Sequence, residues 1–142
     1  MTRKLLTLTL SVLVAIFVAA CSSGGGSAST AKQIKGGSAG NDLTMSISNA
    51  DGILRKGKQD LTLTFADTSG KPVDVGSASL NFFMPAMGSM AAMNDPAVLT
   101  TTSTPGVYSA KVDIEMSGEW QAQVKYDGPK GKGSATLPIT AQ

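Results

Sequence analysis

From Leu43 onward, apolar and polar residues alternate with a period of two, and this regularity confines the chain to β-structure. Leu43, Met45 and Ile47 alternate with Thr44, Ser46 and Ser48, and Leu61, Leu63 and Phe65 with Thr62 and Thr64. Ala78, Leu80, Phe82 and Met84 make a third set. Tyr108, Ala110, Val112, Ile114 and Met116 make a fourth, and Trp120, Ala122, Val124 and Tyr126 a fifth. Successive side chains of a strand point to opposite faces, so each set describes a strand with one buried and one wetted face. Turn-forming residues fall between the sets: Asp67-Thr68-Ser69-Gly70-Lys71-Pro72, Thr104-Pro105-Gly106, Ser117-Gly118 and Asp127-Gly128-Pro129-Lys130-Gly131. The last of these leads into a strand near Ser134 to Thr140. The pattern predicts an all-β fold, an immunoglobulin-like antiparallel β-sandwich of about seven strands.

The region before the alternation reads differently. Arg3 and Lys4 precede an apolar stretch from Leu5 to Val18, and Val18-Ala19-Ala20-Cys21 follows as a bacterial lipobox. Residues 1–20 are therefore expected to be a lipoprotein signal peptide, with Cys21 the lipidated residue; as a spanning helix the stretch is short and has the wrong flanks. Residues 21–41 are expected to be the lipidated cysteine and a flexible Ser/Gly-rich tether, since Ser22 to Gly40 holds one large aliphatic, Ile34. The β-domain then spans 42–142. The expected location is the cell envelope, lipid-anchored. Ser22 after the cysteine points to the outer membrane facing the periplasm, or, in a single-membrane bacterium, to the outer face of the plasma membrane.

These assignments exclude several kinds of chemistry. Cys21 is the one cysteine, so no thiol is left for a disulfide, a nucleophile or a thiolate metal site. The chain has no histidine, which removes imidazole ligands and the ordinary general base of neutral pH. Asp67, Asp74, Asp95 and Asp127 sit in turn-like contexts that account for them structurally. No enzymatic activity is expected. Without Arg3 and Lys4 the chain carries ten basic and ten acidic residues, with no charged block to bind nucleic acid. Arg55, Lys56 and Lys58 form a small basic cluster that is either a solvated loop face or a contact for anionic headgroups.

What remains is a methionine run. Met84, Met87, Met90 and Met93 recur at every third position in Met84-Pro85-Ala86-Met87-Gly88-Ser89-Met90-Ala91-Ala92-Met93. Thioethers are soft neutral ligands suited to Cu(I) or Ag(I), and residues three apart meet if the loop makes a helical or 3₁₀ turn. Methionine is equally a filler of apolar gaps. Strand phase accounts for Met45, Met84 and Met116 as inward residues, but not for Met87, Met90 and Met93. Trp120, also on an inward phase, is either a central core residue or a ring face shielding a bound cation.

The succession Gly70-Lys71-Pro72-Val73, Met84-Pro85-Ala86-Met87-Gly88, Pro105-Gly106-Val107-Tyr108-Ser109-Ala110 and Met116-Ser117-Gly118-Glu119-Trp120 resembles the YtkA-like domain, a relative of the FixH family. The resemblance covers roughly Leu43 to Ile139. It implies an immunoglobulin-like sandwich in the bacterial envelope, similar to domains found beside copper-handling, cytochrome-oxidase-assembly and metal-efflux systems. The family's Met-Pro-x-Met-Gly motif falls on Met84, Pro85, Met87 and Gly88, and its Met-x-Gly-x-Trp motif on Met116, Gly118 and Trp120. Together these lead to the expectation of a membrane-anchored Cu(I)/Ag(I) carrier or buffer in copper tolerance or oxidase metallation. Met87, Met90 and Met93 would be ligands, Met84 a fourth, and Met116 a partner from a neighbouring strand end. The alternative is an interaction module whose apolar methionine loop docks a protein partner, such as an efflux or oxidase subunit.

Overall fold

The computed structural model describes residues 31–142, all of them in strands, turns and extended segments. The expected signal peptide, residues 1–20, and Cys21 lie outside the described residues. Eight strands follow in order: β1 (Lys32–Gly40), β2 (Leu43–Asn49), β3 (Gly57–Ala66), β4 (Ser77–Met84), β5 (Met93–Thr101), β6 (Val107–Ile114), β7 (Gly118–Gly128) and β8 (Gly131–Ala141). All neighbouring strands pair antiparallel, in the order β1-β2-β3-β6-β5-β4-β7-β8. Leaving β1 aside, β2-β3-β6-β5 and β4-β7-β8 reproduce the two sheets of a seven-stranded immunoglobulin sandwich. The predicted fold class is the one observed.

The alternation is what builds the core. The inward sets of β2, β3, β4, β6 and β7 are buried apart from the half-buried Ala78 at the start of β4, with Ile47, Leu63, Phe65, Phe82, Ala110 and Ile114 wholly inaccessible. Phe65 sits between the rings of Tyr108 and Tyr126, edge-on to both, at centroid distances of 6.0 and 5.4 Å. Both tyrosine hydroxyls find backbone acceptors: Tyr108 donates to Gly76 O (2.7 Å) and Tyr126 to Ala39 O (3.1 Å). Each thus buries an apolar ring without leaving a polar atom unpaired.

Two strands depart from the sequence expectation. Residues 32–40, expected within the tether, form the nine-residue strand β1, so the folded part begins a full strand earlier than residue 42. Composition misleads here because β1 is held chiefly by its ladder with β2 and by its neighbours' side chains, not by apolar residues of its own. Only Ala39 is buried, with Ile34 packed against the core. A side chain at Gly37 would meet Leu137 at 2.6 Å, so glycine is what lets β1 lie close against β8. The second is β5, whose inward residues Met93, Asp95, Ala97 and Leu99 include a charge that masks the alternation. It pairs with β4 through Met93–Ala97 and with β6 through Val98–Thr101, joining the two sheets. Asp95, expected in a turn, is instead a buried strand residue.

The antiparallel registers sort the connections between two ends. Lys32 pairs with Asn49, Gly57 with Ile114, Met84 with Met93 and Gly118 with Ala141. One end therefore gathers the start of β1, the loop 50–56, the segment 85–92 and the turn 115–117. The opposite end gathers the turns at 41–42, 67–76, 102–106 and 129–130.

Candidate functional site

The methionine run is the turn of the β4–β5 hairpin. Met84 and Met93 are directly opposed and close the regular ladder. Beyond them the two arms lose pairing for two residues each, then pair again at Met87 and Met90, which exchange both backbone hydrogen bonds (3.1 and 2.9 Å). Gly88 and Ser89 make the turn between them. Gly88 has φ +58°, and Ser89 is not in the left-handed region, which matches a type II′ turn with glycine first. The expected helical or 3₁₀ turn is not formed. Methionines three apart meet here because a two-residue hairpin loop places positions i and i+3 side by side, with Cα atoms about 5.5 Å apart and side chains on one face.

The structure thus arranges the four methionines as two opposed pairs in different surroundings. Met84 is a core residue at 1% exposure; its methyl lies against Gly118, where a Cβ would stand 3.1 Å away. Met93 is half-buried against the core. Met87 and Met90, at 51% and 39%, are two of the three large hydrophobic residues exposed among the described residues. Every residue from Pro85 to Ala92 is exposed and none is charged.

Met116 follows β6 in the turn to β7, at the same end, half-buried. Its backbone is fixed on both sides. The Trp120 indole N–H donates to Met116 O at 3.0 Å, and the preceding amide, Glu115 N, donates to Asp95 Oδ2 at 3.0 Å. Trp120 itself is 1% exposed, a core residue whose polar edge is spent on that carbonyl. Asp95 was missed as a contributor to this end. The signal available was its place in the inward phase of Met93, Ala97 and Leu99. Cys21 lies outside the described residues.

Among the described residues no group of three or more His, Cys, Asp or Glu is placed to hold a metal ion. The donors the hairpin itself offers are thioethers, which suit soft monovalent ions and not the hard cations that need oxygen ligands. Two other carboxylates do structural work within their own loops. Asp67 accepts from Ser69 N, Ser69 Oγ and Lys71 N, which holds its carboxyl below the usual range, the serine hydroxyl contributing most. Asp51 is likewise lowered, chiefly by its bond from Arg55 (2.6 Å).

No curated protein and no solved structure matches the chain. A family model described as YtkA-like matches residues 37–125, from within β1 to near the end of β7 and including every residue of the methionine hairpin.

Proposed function

This chain belongs to the YtkA-like family, and from that premise we propose that it is an envelope lipoprotein, anchored through Cys21, that carries or buffers Cu(I) or Ag(I) on its methionine hairpin. Met87 and Met90 are the first ligands, Met93 the next, and Met84 and Met116 supply thioethers at the hairpin base. One observation carries the proposal: Met87 and Met90 are opposed across a doubly hydrogen-bonded turn while standing half in solvent. Core packing, the ordinary use of methionine, does not account for two such side chains held side by side outside the core. A neutral, exposed pair without thiolate or imidazole holds a soft ion loosely, which suits delivery to copper-tolerance or oxidase-metallation systems better than storage. Thioethers also stay unprotonated in an acidic envelope.

The uncharged, exposed stretch 85–92 also favours a second reading, a docking surface for a protein partner in efflux or oxidase assembly. Leucine separates the two, because it preserves apolar bulk but cannot ligate. Anaerobic Cu(I) titration against a chromogenic chelator should show one equivalent bound by the chain from Ser22 onward and none by its Met87→Leu/Met90→Leu/Met93→Leu variant. If neither binds, the metal proposal is lost and the hairpin is left as a docking or packing surface.

A further inference from the structure

We infer that the end of the sandwich bearing the methionine hairpin faces the membrane that anchors the chain, and that the partner it meets there is an integral membrane protein. The inference rests on the lipid-anchor reading of Cys21, and it holds whether or not the hairpin binds metal.

The argument is one of register and length. β1 begins at Lys32, paired with Asn49, at the same end as the hairpin. The two are neighbours: Lys35 of β1 and Pro85 of the hairpin line one pocket of about 300 Å³ with Trp120 and Thr140. The path from the anchor therefore reaches the domain beside the hairpin. Lys32 is eleven residues beyond Cys21. Fully extended, that length spans no more than about 36–40 Å. β7 and β8, of 11 residues each, separate the two ends of the sandwich by roughly 35 Å. To turn the opposite end toward the bilayer, the connection would have to run nearly taut along the whole domain. The covalent limit of the connection leaves almost no slack for that arrangement, and so keeps the hairpin end nearest the membrane.

The composition of that end then distinguishes protein from lipid. Residues 85–92 contain no Trp, Tyr, Phe or Leu to anchor in an interface. The charges gathered there nearly cancel: Lys32, Lys35, Arg55, Lys56 and Lys58 stand against Asp51, Asp113, Glu115 and Glu119, and Arg55 is already paired with Asp51. Neither insertion nor attraction to anionic headgroups has much to draw on. An uncharged, methionine-tipped hairpin is instead the adaptable kind of surface that re-packs against another protein. Held within tens of ångströms of the bilayer, it reaches membrane-embedded partners at high effective concentration.

The test uses the full lipidated chain in vesicles of phosphatidylethanolamine and phosphatidylglycerol, with a donor dye on Ser89→Cys at the hairpin or Thr68→Cys at the opposite end. Energy transfer to an acceptor lipid should be about twofold or more higher from position 89, given the roughly 35 Å between the sites. The position-89 dye should also stay open to aqueous iodide and unquenched by spin-labelled acyl chains. Equal transfer from both sites, or more from position 68, overturns the orientation. Quenching by acyl chains overturns the protein partner in favour of lipid. Failure of the chain to associate with vesicles removes the anchor and the inference with it, whereas Cu(I) titration of unanchored chain reports on the metal proposal alone.

Discussion

Gly133→Ala tests how β1 is held. Gly133 is opposite Tyr126 in the β7–β8 ladder, and the tyrosine ring lies across it. A Cβ there would stand 2.4 Å from Tyr126 Cζ and Oη and 2.5 Å from Cε1. The backbone at Gly133 is not in the left-handed region, so the effect is steric and not conformational. The ring must move, and it is tied on three sides. It packs edge-on against Phe65, donates to Ala39 O at 3.1 Å, and accepts from Asn41 Nδ2 at 3.0 Å. Overpacking costs about 1–3 kcal/mol, and weakening an aromatic pair and two hydrogen bonds about 1 kcal/mol each. These overlap, because one displacement causes all of them, so a total of about 2–4 kcal/mol is expected. In a domain of this size that lowers Tm by roughly 10–20 °C. Urea denaturation of wild type, Gly133→Ala, Tyr126→Phe and the double variant gives the numbers. Tyr126→Phe should cost about 1 kcal/mol alone and almost nothing on top of Gly133→Ala, since the displaced hydroxyl has already lost its partners. A Gly133→Ala cost below about 0.5 kcal/mol, or strict additivity, would refute the picture of the ring locking β1.

Met84→Ala should destabilise by about 2–5 kcal/mol while Met87→Ala and Met90→Ala stay within about 0.5 kcal/mol, because only the first empties buried volume; denaturant midpoints decide it. Gly88→Ala meets no atom but must hold φ +58°, so it should cost about 1 kcal/mol and speed amide exchange at Met87 and Met90 without loosening β7. Asp95→Ala strips the Glu115 amide of its acceptor and should cost about 1–3 kcal/mol, whereas Asp95→Asn, which can still accept, should cost less. Asp51 and Asp67 have carboxyls lowered in the folded state, so their contribution is complete above the ordinary aspartate range and is lost as pH falls through the lowered values. Acid titration followed by near-ultraviolet dichroism should show Asp67→Asn with the shallower acid dependence.

Much of the architecture was legible in the residues alone. Strands β2, β3, β4, β6 and β7 follow from alternation whose inward members are large and apolar, a pattern that fits one side of a sheet and nothing else. The last strand was legible from its turn. The lack of histidine limited the donor chemistry in the same way, since no fold can supply a ligand the sequence does not contain. The surrounding structure decided the rest. β1 looked like tether because its ladder with β2 and the close approach of Leu137 to Gly37 belong to other strands. β5 was hidden by Asp95, a charge facing inward because the Glu115 amide waits there from the end of β6. The spacing of the methionines showed that they could meet. Only the hairpin decided how: it buried Met84 in the core and held Met87 and Met90 together outside it, because burial and pairing are set by partners that are distant in the chain.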